Sequence, residues 1–180
     1  SSVGTGGDAV SDAKSGVVVW LTGFPASGKS TLAQSVAQAL RSQQVPVCVL
    51  DGDDVRAVLR PTPGYDEQAR ADFYASIAAL AALLARQGLV VLVPATAHRA
   101  SYRQAARAIA PQFVEVFVDT PLAQCQQRDP KGLYRQAPSS LPGTGAAYEP
   151  PTHPDFIASP SEPATEQLVK LIHARRDITA

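Results

Sequence analysis

Short apolar runs alternate along this chain with longer stretches of helical periodicity. VVVWL (Val17 to Leu21) is a continuous β-rich run of the kind a strand buried on both faces requires. VPVCVL (Val45 to Leu50), GLVVLV (Gly88 to Val93) and FVEVFV (Phe113 to Val118) repeat the pattern, and a short strand is predicted near Phe156 to Ala158. Between them, STLAQSVAQALRSQQ sets Leu32, Val36 and Leu40 at helical spacing, and Glu67 to Gln87 does the same through Ile77, Leu80 and Leu84. Further helices are predicted from about Ala100 to Ile109 and from about Ala164 to Arg175. Strand and helix in repeated alternation predict an α/β fold of three layers, a parallel sheet with helices on both faces. Ligands of such sheets bind beyond the carboxyl ends of the strands. Four polar loops gather there: GFPASGKST, DGDDVR, PATAHR and DTP, one after each of the first four strands.

The remainder of the pattern sets boundaries. Residues 1–15 are small, polar and glycine-rich, and read as a flexible tail or linker before a single domain over residues 16–180. A proline-rich segment runs from Pro138 to Pro163, and a proline-rich lid is expected over about 131–152. A length of 180 residues suits one domain with an ample core. Sixteen Lys plus Arg balance sixteen Asp plus Glu, so no basic field favours a nucleic acid polymer or an acidic membrane. The longest apolar region, IAALAALLARQGLVVLV, is broken by Arg86-Gln87-Gly88, and neither half spans a bilayer. Cys48 and Cys125 sit in apolar segments and read as structural thiols rather than a disulfide framework. No secretory signal opens the chain, so a cytoplasmic location is expected. It starts at Ser1 instead of methionine, which keeps fusion to a larger protein open.

Candidate chemistry enters with Gly23 to Thr31. The spacing of Gly23, Gly28, Lys29 and Ser30 fits the Walker A pattern, between a strand and a helix as its mechanism demands. Such a loop turns backbone N–H groups toward phosphate oxygens, with the helix N-terminus adding partial positive charge. Lys29 can reach the β- and γ-phosphates, and the Ser30 hydroxyl can hold Mg²⁺. Asp119 at the end of the fourth run imitates an acidic NTPase signature, but Thr-Pro follows it, so a capping or turn role is expected. DGDDVR puts Asp51 and Asp53 two apart at a strand end, where alternation aims both carboxylates to one side. A carboxylate there can take a proton from an acceptor hydroxyl or hold Mg²⁺ through water. Arg56 and Arg70 are candidates for clamping an anionic acceptor, because guanidinium meets phosphate or sulfate oxygens bidentately.

GFPASGKST, LDGDDVR, GYDEQAR, FVEVFVDTPL, RDPKGLY and YEPP occur in an order and spacing that resembles the adenylylsulfate (APS) kinases, over about residues 16 to 175. The resemblance implies a P-loop NTPase fold and transfer of the γ-phosphate of ATP to the ribose 3′-hydroxyl of adenosine 5′-phosphosulfate, giving PAPS and ADP. It implies that Gly23, Ala26, Ser27, Gly28, Lys29, Ser30, Thr31 and Arg128 bind ATP, with Mg²⁺ on Ser30. It sets Lys29, Asp51 and Asp53 at the reacting centre. Asp53, Arg56, Tyr65, Arg70, Phe73, Thr96, Ala97, Lys131, Gly132 and Leu133 would then face the sulfonucleotide. A homodimer, fused to or associated with ATP sulfurylase, would fit the family. Three departures lie on the acceptor side: Phe73 where members commonly carry Asn, Ala97 where a serine is usual, and a shorter lid poorer in Lys and Glu. Two alternatives therefore compete, a kinase of another small hydroxylated metabolite and a non-catalytic nucleotide-binding regulatory domain of an ATP sulfurylase.

Overall fold

A computed structural model describes residues 15–129, 132, 134 and 147–177. Five parallel strands form one sheet: β1 (Val17–Thr22), β2 (Val47–Val49), β3 (Val90–Pro94), β4 (Phe113–Val118) and β5 (Phe156–Ala158), in the order β2-β3-β1-β4-β5. Among the described residues the helices that connect and cover them are α1 (Lys29–Ser42), α2 (Gly52–Val58), α3 (Glu67–Arg86), α4 (Ala100–Ile109), α5 (Leu122–Arg128) and α6 (Thr165–Arg176). The outward direction of travel reverses beside β1, whose neighbours are β3 and β4. That reversal opens a crevice beyond the carboxyl ends of the strands.

Alternation along β1 divides the core. Val17, Val19 and Leu21 face α1 and α6, packing with Val36, Leu40, Leu168 and Ile172. Val18 and Trp20 face the opposite layer, with Ile77, Ala81, Ala85 and Ala106 of α3 and α4. β1 is fully buried because a strand pairs on either side and a helical layer covers each face. Gly16 enters β1 so tightly that a Cβ there would lie 2.1 Å from the Ala85 carbonyl oxygen.

Four of the predicted elements differ in detail. β2 is half-buried and shorter than the Val45 to Leu50 run, because it is the edge strand and only β3 pairs with it. The chain after it forms a helix, α2, where a polar turn was expected. In α3 the alanines Ala78, Ala81, Ala82 and Ala85 face the sheet with Phe73 and Ile77, so Leu80 stands 39% exposed. Small side chains let the helix lie close to the sheet and leave the larger leucine outside. Asp119 does not cap α5, whose N-cap is Pro121 without a side-chain bond; the Asp119 N–H instead donates to the Ala158 carbonyl. The expected lid over 131–152 falls for the most part outside the described residues.

Candidate active site

The loop from Gly23 to Gly28 is shaped by backbone conformations that favour glycine. Gly23 has φ 157° and Gly28 has φ 103°, and a Cβ on Gly23 would approach the Val118 carbonyl oxygen to 2.7 Å. Ala26 also takes a positive φ, 62°, in the middle of the curl. Gly28 then caps α1, whose first residues are Lys29 and Ser30. Lys29 is buried, and its ammonium donates to the carbonyls of Gly23 at 3.0 Å and Phe24 at 2.7 Å. The charge is thus held inside the curl of the loop, with the helix N-terminus beside it. Ser27 is buried in the loop, and Thr31, the third residue of α1, is exposed. Arg128, at the end of α5, reaches back over the loop: its Nη1 is 4.0 Å from where a Cβ on Gly28 would sit.

The loop is braced from three directions. Thr120 Oγ1 donates to the Ser27 carbonyl at 2.7 Å, and Tyr134 Oη donates to the Pro25 carbonyl at 2.8 Å. Tyr148 shares a 2.9 Å hydrogen bond with Thr22 Oγ1, and its ring packs 5.0 Å from that of Phe24. Burial pushes the Tyr148 phenol up to about 12 and raises Tyr134 further, so both stay neutral donors. Burial likewise raises the thiols of Cys48 and Cys125, which are unpaired by disulfide and protonated near neutral pH.

The two aspartates after β2 do separate jobs. Asp51 is the N-cap of α2: one carboxylate oxygen accepts the Asp53 N–H at 3.0 Å, and the other accepts the Ser30 hydroxyl at 2.5 Å. Alternation does not aim the pair to one side, because the strand has ended at Val49 and Asp53 already lies in the first turn of α2. Asp51 is buried against the phosphate loop, whereas Asp53 is exposed. Ser30 and Asp51 together offer two hard oxygen donors, the chemistry Mg²⁺ takes from protein when phosphates supply the rest. Among the described residues no group of three or more His, Cys, Asp or Glu side chains forms a metal cage made of protein alone.

The third loop is tied to the first. Trp20 Nε1 donates to the Ala95 carbonyl at 3.1 Å, and Thr22 Oγ1 donates to the Thr96 carbonyl at 2.5 Å. Ala97 is fully buried with φ 44°, and its backbone meets the Tyr74 hydroxyl. Arg103, 1% exposed, is the hub beneath: it pairs with Glu115 at 3.0 Å and donates to the carbonyls of Ala97 and Glu149. The Glu149 N–H returns a 2.8 Å bond to the His98 carbonyl. The segment from Ala147 onward is therefore held to both the first and the third loop.

Around Tyr74 the acceptor candidates converge. Its ring stacks on Tyr102 at 5.1 Å and meets Phe73, next to the Arg56 guanidinium, and His98 edge-on, and burial raises its phenol. Burial, the largest cause, lowers the pKa of His98 although Glu67 lies 3.5 Å away and opposes the shift. Glu67 also accepts from Arg99 and from the Tyr102 hydroxyl. Arg56 stands between two rings, with its guanidinium carbon 4.4 Å from the centroid of Tyr65 and 4.3 Å from that of Phe73. The structure thus brings Asp53, Arg56, Tyr65, Arg70, Phe73 and the Thr96-Ala97 turn to the same edge as Lys29, Ser30 and Asp51. Gly132 is described, with its N–H on the Asp129 carbonyl, while Lys131 and Leu133 lie outside the described residues. Sequence reasoning assigned no role to Thr22, Tyr74, Arg103, Thr120, Tyr134 or Tyr148. The two tyrosines at 134 and 148 stand inside RDPKGLY and YEPP, so the motifs held the signal; the buried Arg103 carried none.

A parallel sheet of this order, with a phosphate loop after its central strand and acidic and basic groups facing it, defines a P-loop kinase. The chain belongs to the adenylylsulphate kinase family, whose profile matches residues 15–159. The adenylyl-sulfate kinase of Synechococcus sp. (strain JA-3-3Ab) is 40% identical over 161 residues, which cover 87% of this chain and 92% of that protein. The bifunctional enzyme NodQ of Azospirillum brasilense is 37% identical over 168 residues, covering 88% of this chain and 27% of that protein. Among solved structures, the Mycobacterium tuberculosis APS kinase CysC in complex with AMPPNP and APS aligns with a TM-score of 0.81 and 37% identity, covering 89% of this chain and 97% of that one.

Proposed function

We propose that this protein transfers the γ-phosphoryl group of ATP to the 3′-hydroxyl of APS, releasing PAPS and ADP. The observation that carries the reading is the bond from Ser30 of the phosphate loop to Asp51, the cap of the helix that carries Asp53 and Arg56. The loop of Gly23, Ala26, Ser27, Gly28, Lys29, Ser30 and Thr31 forms one half of the site, and the Asp53, Arg56, Arg70 group forms the other. Membership of the family supports APS as the acceptor.

In this reading the backbone N–H groups of the loop and the Lys29 ammonium hold the β- and γ-phosphates. Ser30 and Asp51 would hold Mg²⁺, which would offset the negative charge of the phosphates. Arg128 lies over the donor nucleotide. Arg56 and Arg70 bind the phosphosulfate as paired guanidinium forks. Asp53 accepts the proton of the 3′-hydroxyl as its oxygen bonds to the γ-phosphorus and the bond to the leaving β-phosphate oxygen breaks. Asp51, spent on Ser30 and on the α2 cap, serves the metal side and not the proton. Tyr65, Phe73, Thr96, Ala97, Lys131, Gly132 and Leu133 complete the acceptor side. The lid over about 131–152 would exclude water, which keeps ATP hydrolysis low.

A homodimer working in the cytoplasm belongs to the same reading, as does a partnership with ATP sulfurylase; the bifunctional relative supports joining this kinase fold to a second activity. Coupled ADP release tests the core of it: turnover with ATP should appear with APS and not with a panel of sugars and nucleosides. Turnover with another hydroxylated metabolite and none with APS would overturn it.

A further inference from the structure

Arg56 is held in a way that no phosphate contact requires. Its guanidinium carbon lies over the ring of Tyr65, which is 66% exposed, and over that of Phe73, which is 5% exposed and part of the core beneath α3. Nη1 donates to the Pro63 carbonyl at 3.1 Å and to the Gly64 carbonyl at 2.9 Å. Two rings fix the plane of the fork and two carbonyls fix its rotation within that plane. What is left among the described residues is the Nε–Nη2 edge, the geometry that binds one oxyanion bidentately. An unrestrained arginine would lose much of its rotamer freedom on meeting a ligand, and here the restraint precedes it.

We propose that Phe73 is a positioning residue: from the core it sets the plane of Arg56, so that Arg56 presents its Nε–Nη2 edge to the anionic group of the acceptor. The inference rests on the APS reading above for the identity of that group, though not for the geometry. Phe73 acts through Arg56, because its own ring is covered, and Tyr65 closes the stack from solvent. The cation–π contacts supply the hold, and their strength depends on an aromatic ring at position 73, not merely on an apolar one of similar bulk.

The test uses Phe73→Leu and Phe73→Tyr beside the wild type, with two readouts. In steady-state kinetics Phe73→Leu should raise KM for APS about 3- to 30-fold. KM for ATP should stay unchanged, which also reports an intact fold, and Phe73→Tyr should recover the wild-type value. In ¹⁵N-labelled protein the Arg56 Nε–H resonance, assigned with Arg56→Lys, should lose order in Phe73→Leu and keep it in Phe73→Tyr. An Arg56 signal equally ordered in all three proteins overturns the proposal, as does a KM for APS that does not move. Absence of APS-dependent turnover in the wild type overturns the APS reading alone, and the ordering of Arg56 still decides the positioning role.

Discussion

At the residue scale, the side chains separate into those that would touch phosphate and those that hold them. Lys29 belongs to the first group, and replacing it removes a buried ammonium directed into the phosphate loop. Lys29→Ala should lower kcat by about 10²- to 10³-fold or more with the fold retained; a wild-type rate would mean that the loop is not the reacting site. Asp53→Asn should lower kcat by about 10²- to 10⁴-fold with little change in KM for ATP, as loss of a proton acceptor does. An equal rise in KM for ATP would reassign Asp53 to the donor side. His98 gives a pH signature. Burial lowers its pKa from the ordinary 6.5, Arg70 and Arg99 add to that, and Glu67 opposes them. The unfolded chain therefore binds the proton more readily. The contribution to stability is whole above about pH 6.5 and is lost as pH falls through the lowered folded value. The melting temperature should decline over that window in the wild type and flatten in His98→Phe; an identical pH profile would remove His98 from the account.

At the element scale, legibility followed how much of an element's fate was decided by its own periodicity. β1, β4 and α4 stand close to where the apolar pattern set them, since each is either buried on both faces or plainly amphipathic. β2 was harder, because a run of apolar residues does not say that it will lie at an edge. α2 was missed for a different reason: its start depends on Asp51 accepting the Asp53 N–H, and the same DGDD reads equally as an acidic turn. The elements are joined at the catalytic edge by Arg103, which ties α4 to Glu115 of β4, to the Ala97 turn and to Glu149. Arg103→Met would leave Glu115 and two carbonyls without that partner. It should cost about 3 to 5 kcal/mol, read as a shift of the chemical denaturation midpoint. A shift below about 1 kcal/mol would show that the network is dispensable.

At the scale of the whole molecule, two layers of helices cover a parallel sheet, and the candidate groups stand in the loops that follow its strands. The phosphate loop was readable because its glycines, lysine and serine are consecutive. The proposed acceptor side draws on residues from α2, α3 and the turn after β3, and only the fold brings Arg56 of α2 over the ring of Phe73 in α3 and the Ala97 backbone to the Tyr74 hydroxyl. The departures at Phe73 and Ala97 gain physical content in the same way: Phe73 becomes the floor under Arg56, and Ala97 a buried turn whose carbonyl serves Arg103. None of the described helices is long and apolar enough to cross a membrane. The central claim is transfer between two nucleotides in one crevice, and it is tested most directly by following the phosphoryl group itself. With γ-labelled ATP and APS, label should appear on the 3′-oxygen of PAPS in equal amount to the ADP formed. Label released as inorganic phosphate, or ADP formed at the same rate without APS, would contradict it.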